Sequence, residues 1–128
     1  MARRDELSLL SPVMRALTVE FLARLAEAGI YVKILETWRS EERQKELLKR
    51  GVSWTQNSKH CRMKDGAPAA DAVDLIPWEY WSLWEGNKLL WDSDAKIWQK
   101  IGAIGESLGL RWGGRWTQKD MGHWEISE

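Results

Sequence analysis

The chain has 128 residues, 44% hydrophobic and 30% charged, which is the size and composition of one globular domain with a single packed core. Nineteen basic residues balance nineteen acidic ones, so no global field draws the protein to nucleic acid or to an anionic membrane. No stretch approaches the roughly 20 apolar residues of a membrane span, and Met1-Ala2-Arg3-Arg4-Asp5-Glu6 opens with charge and lacks the apolar run of a secretory signal peptide.

Ser11-Pro12 reads as a helix entry, with Ser11 as cap and Pro12 at the first helical position. Met14, Leu17, Phe21 and Leu25 follow at helical spacing, and Gly29 ends the helix. Residues 30–37 are β-rich and partly alternating, which predicts a strand. Ser40 caps a second helix with Glu41 and Glu42 in its first turn and Lys49-Arg50 in its last, signs that suit the helix dipole; Gly51 stops it. Residues 52–70 are polar and irregular, residues 71–76 form a short strand, and residues 78–91 are rich in tryptophan. A third helix is expected from about Ser93 to Leu108, with Ile97, Ile101, Ile104 and Leu108 on one face and Gly109 as its stop. Trp112-Gly113-Gly114-Arg115-Trp116 reads as a turn, and His123 to Ile126 as a final strand. Helices and strands mix without regular βαβ alternation. This predicts an α+β domain over residues 1–128, a small, mainly antiparallel sheet with flanking helices.

Ten tryptophans are unusual for this length. Most are expected to pack the core and its rim, with a minority left to line a sugar or peptide groove. The single cysteine, Cys61, excludes an internal disulfide and fits synthesis in a reducing compartment.

The two histidines, His60 and His123, carry the chemistry. On their number alone they would be ordinary surface or core residues. Their surroundings change that. Asp74 interrupts an apolar strand, where a buried carboxylate is costly unless paired or metal-bound. Two imidazoles and a carboxylate are a common catalytic zinc set, with the fourth position open to water. Asp71 is the closer rival to Asp74, whereas Asp65, beside Gly66, looks like a solvated turn residue. Metal-assisted amide hydrolysis also needs a base. Glu125 shares the strand face of His123, and Asp120 precedes a Met121-Gly122 bend; spacing alone leaves both open. Arg39, between a strand and a helix, is either a fixed cation for developing negative charge or a surface ion pair.

The ordered set Thr37-Trp38-Arg39-Ser40, Ser58-Lys59-His60, Ala72-Val73-Asp74-Leu75-Ile76-Pro77, Trp112-Gly113-Gly114-Arg115-Trp116 and Asp120-Met121-Gly122-His123-Trp124-Glu125 resembles the zinc D-alanyl-D-alanine carboxypeptidase and L-alanyl-D-glutamate endopeptidase family. The small single-domain bacteriophage endolysins are most similar. Each motif is weak alone; five in the right order are specific. The resemblance implies the zinc D-Ala-D-Ala peptidase (hedgehog-like) fold and one Zn2+ held by His60, Asp74 and His123. It implies Asp120 as general base, leaving Glu125 a structural part beside the ligands. Arg39 would contact substrate and stabilise negative charge, and Ser58 would hold the loop or a substrate group. The thirteen residues between His60 and Asp74 exceed the family's usual spacing, so residues 61–70 must loop out as a lid, a selecting loop or a plain insertion. Cys61, beside a ligand, is a remote candidate for thiolate ligation.

The expected function is therefore hydrolysis of the L-alanyl-D-glutamate bond in peptidoglycan stem peptides. The resemblance further implies a monomer with no nucleic-acid partner and no integral membrane contact, held in the host cytoplasm before release to the cell wall. Trimming of terminal D-alanine is the alternative bond. A non-catalytic wall-binding module, using zinc only to fold, is the alternative class, and it would need a fourth protein ligand from Cys61, Asp71 or Glu125.

Overall fold

The computed structural model describes residues 3–51, 58–81 and 96–127. Trp84, Trp91, the expected helix start at Ser93 and much of the tryptophan-rich stretch lie outside the described residues.

Helix α1 (Pro12–Glu27) begins as its sequence dictates: the Ser11 hydroxyl accepts from the Met14 N–H at 3.2 Å, and Pro12 occupies the first turn. Met14, Thr18, Phe21 and Leu25 turn inward, and Leu17 packs at the margin of that stripe. Strand β1 (Val32–Glu36) follows. Helix α2 (Glu41–Lys49) is capped by Ser40, whose hydroxyl accepts from the Arg43 N–H at 3.1 Å.

The stretch after His60 is more ordered than its polarity suggests. Strands β2 (Met63–Lys64) and β3 (Ala67–Pro68) pair in a hairpin. Its two-residue loop, Asp65-Gly66, has φ values of 53° and 78°, the left-handed pair that a type I′ turn requires. The insertion is thus a small projecting hairpin with Asp65 in its turn.

Strand β4 (Ala72–Pro77) leads into a single helical turn, α3 (Trp78–Trp81). Helix α4 (Lys96–Ser107), strand β5 (Leu110–Trp112) and strand β6 (His123–Ile126) complete the described chain. The four-stranded sheet runs β1–β4–β6–β5, and every neighbouring pair is antiparallel. Strand β5 occupies part of the Trp112–Trp116 region expected as turn alone; the turn itself tightens to a 3-10 turn over Gly113–Arg115. Among the described residues, no helix is long and apolar enough to cross a membrane.

Alternation in the strands separates two faces. Val73 pairs with Trp124, so both point to one side, where α1 and α4 pack. Trp124 meets Phe21 edge-on at 5.4 Å and stacks near Trp98 and Trp112, each 6.4 Å away. Gly105 makes this approach feasible, because a Cβ there would lie 2.6 Å from Trp124 and 2.9 Å from Phe21. Trp98, Trp112 and Trp124 are thus core residues, as expected for most of the tryptophans. Asp74 pairs with His123, and Ala72 with Glu125, so these four point to the other side.

Candidate metal centre

The site is built on that second face. Asp74 and His123 are direct cross-strand partners on β4 and β6, a placement that brings their side chains together without any loop. His60 arrives from a 3-10 turn, Lys59–Cys61, whose N-terminus Ser58 caps by accepting the His60 N–H at 3.1 Å. The turn is pinned on both sides: the His60 carbonyl accepts from the Arg39 N–H at 2.9 Å, and the Lys59 carbonyl from the Asp71 N–H at 3.0 Å.

The three predicted ligands converge. His60 Nε2 lies 3.0 Å, and His123 Nδ1 3.1 Å, from the same Oδ1 of Asp74. One ligand atom from each residue falls within 4.8 Å of the others. The outer ring nitrogens are engaged elsewhere. His60 Nδ1 is 2.7 Å from the Thr37 carbonyl, and His123 Nε2 is 2.8 Å from Glu125 Oε1. Those acceptors place the ring protons outward in the neutral imidazoles, which turns both lone pairs inward toward a carboxylate oxygen. Two lone pairs and an anion facing one point need a cation among them. The donor set N, N, O, with an acceptor behind each ring, fits zinc.

The electrostatics agree. Burial opposes ionisation of Asp74, but the His60 and His123 rings overcome it and hold the carboxyl well below its ordinary 3.8. Burial also opposes charge on His123, yet hydrogen bonds to Asp74 and Glu125 raise it to about 10. Burial pushes Glu125 up, while hydrogen bonds from His123 and Lys59 bring it down to about 2. Without a metal, the carboxylates around His123 draw in a proton in place of the cation.

Asp120 stands beside this cluster. Its carbonyl accepts from the His123 N–H at 3.2 Å, closing the expected Met121-Gly122 bend, and its own N–H donates to the Gly113 carbonyl at 3.0 Å. Gly113 is required there, because a Cβ would collide with the Asp120 backbone oxygen. Burial raises the Asp120 carboxyl, the Asp74 charge raises it further, and His123, His60 and Arg39 partly offset this. A carboxylate with raised proton affinity next to the ligands is suited to take up and release a proton.

Arg39 is half-buried rather than a surface residue, its side chain 11% exposed. Its Nη2 donates to Glu36 Oε1 at 2.5 Å and lies 3.6 Å from Asp74 Oδ2, and Nη1 donates to Gln44 at 2.8 Å. Glu36 also accepts from Arg43 at 2.8 Å. A bulge in β1 makes this possible: Ile34 pairs with Leu75 but Glu36 pairs with Asp74, leaving Leu35 as the extra residue. Bulges re-aim side chains in this way. Two carboxylates thereby face each other with a guanidinium between them.

The rivals go elsewhere. Asp71 accepts from the Ser11 hydroxyl at 2.5 Å and from Arg62 at 2.7 Å, tying α1 to the hairpin. The Cys61 thiol lies 4.0 Å from the Ser40 carbonyl, and burial raises its pKa, with Arg39 a partial offset. Glu125 is held by Lys59 at 2.8 Å as well as by His123. Glu36, Gln44, Lys59 and the Thr37 carbonyl escaped the sequence reading. Helical charge patterning gives Gln44 no special mark, and a bulge leaves no local signature at Glu36.

Residues 68–126 match the sequence profile of a family described as D-alanyl-D-alanine carboxypeptidase. That segment carries Asp74, Asp120 and His123. The chain is a metallopeptidase, similar to that family over this segment. Its fold is similar to that of the L-Ala D-Glu endopeptidase ChiX of Serratia marcescens, with a TM-score of 0.62 at 24% identity. The likeness covers 94% of this chain and 83% of the Serratia chain. The α+β expectation and the family resemblance both hold.

Proposed function

We propose that this metallopeptidase is a zinc enzyme of the bacterial cell wall that cleaves the L-alanyl-D-glutamate bond of peptidoglycan stem peptides. The observation that carries the reading is the convergence of His60 Nε2, Asp74 Oδ1 and His123 Nδ1 with Asp120 at their side. The peptidoglycan substrate is supported by the family description and by the named activity of the structural neighbour.

His60, Asp74 and His123 would hold the ion. Bound zinc supplies Lewis acidity, polarising a carbonyl and lowering the pKa of water from ~15.7 to about 7. Asp120 then takes the proton of the attacking water on its carboxylate and delivers it to the leaving amine nitrogen. Its raised proton affinity suits both halves of that transfer. Arg39, fixed by Glu36 and Gln44, adds positive charge beside the carbonyl oxygen as charge develops there. Ser58 accepts one hydrogen bond from the turn and keeps a hydroxyl proton to offer the substrate.

A purely structural zinc site would be closed by four protein ligands. Among the described residues three ligand atoms converge, and Cys61, Asp71 and Glu125 are committed elsewhere. The open arrangement favours catalysis. The biological setting we propose is host-cell lysis by a bacteriophage, the protein acting on the wall after release from the cytoplasm.

Mass spectrometry of purified peptidoglycan after incubation with the zinc-loaded protein tests the substrate. Stem peptides freed with a new D-glutamate amino terminus are the expected product. Release of terminal D-alanine alone would move the activity to wall trimming, the bond named in the family description. Intact peptidoglycan, with zinc bound, would sink the enzyme reading for this substrate.

A further inference from the structure

Lys59 precedes His60 in the chain, yet its side chain leaves the turn they share. Nζ reaches Glu125 Oε2 at 2.8 Å and also donates to the backbone carbonyl of Ile126. Glu125 Oε1 in turn lies 2.8 Å from His123 Nε2. The Lys59 carbonyl meanwhile accepts from the N–H of Asp71, the residue that leads into β4. One residue therefore ties together the three segments that carry the three candidate ligands.

The arrangement is costly to build. The Lys59 side chain is 14% exposed and that of Glu125 10%; ordering a long lysine and desolvating its ammonium both oppose it. Simple charge balance would not require this. Arg111 also approaches Glu125 Oε2, at 3.9 Å, from a side chain that is 52% exposed, and a surface cation of that kind suffices to neutralise a carboxylate. Lys59 differs in its geometry. It holds one oxygen of Glu125, which leaves the other aimed at His123 Nε2, and so fixes which ring nitrogen faces Asp74.

We propose that Lys59 is a positioning residue of the metal centre, acting through Glu125 to hold the His123 ring with Nδ1 turned toward Asp74. The inference rests on the zinc reading above. It adds a Lys59–Glu125–His123 chain behind one ligand, half-buried at Lys59 and buried at the other two.

The test is zinc affinity, measured by competition with a chromophoric chelator, with folding followed by circular dichroism. Wild type must bind one zinc. K59M, close in length but without charge or donors, should bind about 10–100-fold more weakly, the usual cost of losing a partner behind a metal ligand. K59R should recover part of that loss, and R111M should change affinity less than about 3-fold. In an E125Q background the added effect of K59M should shrink, because Lys59 acts through the Glu125 carboxylate. Folded K59M with wild-type affinity overturns the proposal, as does full additivity with E125Q. Wild-type protein that binds no zinc overturns the metal reading instead, and this proposal with it. Should K59M fail to fold, ring-nitrogen NMR of the zinc-loaded wild type decides. A protonated Nε2 and metal-bound Nδ1 on His123 support the chain; the reverse overturns it.

Discussion

The two histidines reach the same Asp74 oxygen from different kinds of structure. His60 rides on a 3-10 turn and leans on a backbone carbonyl, that of Thr37. His123 stands on a strand and leans on a side chain, that of Glu125. A carbonyl is neutral and belongs to the main chain, so no side-chain substitution at Thr37 removes it directly. A carboxylate is charged, titrates and is lost with one codon. One ring is held by the fold and the other by a replaceable chain of side chains, so their sensitivity to mutation should differ although their ligand roles match.

Removal of either ring should have the largest effect and erase the contrast. H60A and H123A should each lose stoichiometric zinc, and peptide turnover should fall to background; retention of one tightly bound zinc by either variant, measured by elemental analysis, would break the proposed ligand set. Next comes the group that holds no metal. D120A should keep its zinc and lose about 10²–10⁴-fold in kcat, and near-wild-type turnover would remove Asp120 from the mechanism.

The contrast itself is sharpened by one pair of variants. E125A should weaken zinc binding about 10–100-fold. T37V should leave it within about 2-fold while lowering stability by ~1 kcal/mol, because the Thr37 hydroxyl donates to the Glu6 carbonyl at 2.9 Å but the ring anchor is main chain. Equal losses of affinity in the two would show that the anchors are equivalent.

The smallest effect is on pH dependence, and its sign differs between the metal-free and zinc-loaded forms. In the metal-free protein His123 is raised from 6.5 to about 10, so its contribution to stability is whole below pH 6.5 and is lost as pH rises through 10. Glu125 is lowered from 4.5 to about 2, so its contribution is whole above pH 4.5 and is lost as pH falls through 2. These two groups together favour the metal-free fold most between pH 4.5 and 6.5. Zinc needs His123 neutral, so its affinity should rise as pH is raised toward 10. Thermal melts with chelator and with zinc across this range should separate the two trends; parallel curves would count against the site.

The candidate ligands were legible because their chemistry is local. Asp74 is a lone carboxylate in an apolar strand, and the ordered motifs around His60 and His123 narrow the choice. The caps at Ser11 and Ser40 were equally legible, since a hydroxyl before a helical period satisfies the free N–H groups of its own first turn. The Asp65-Gly66 hairpin carried a readable turn signal that polarity concealed.

Short-range rules thus determine the three longer helices, three of the six described strands and the α+β class, and the family resemblance pointed to the three converging residues. Tertiary structure decided the rest. It chose the site's supports: the β1 bulge that sets Glu36 opposite Asp74, the clamp of Glu36 and Gln44 on Arg39, and the reach of Lys59 to Glu125. It also sent Asp71 to Ser11 and Arg62 instead of to the metal site. The reason is physical. Capping and periodicity act over a turn or two of chain, whereas strand register and buried ion pairs depend on which distant segments pack together.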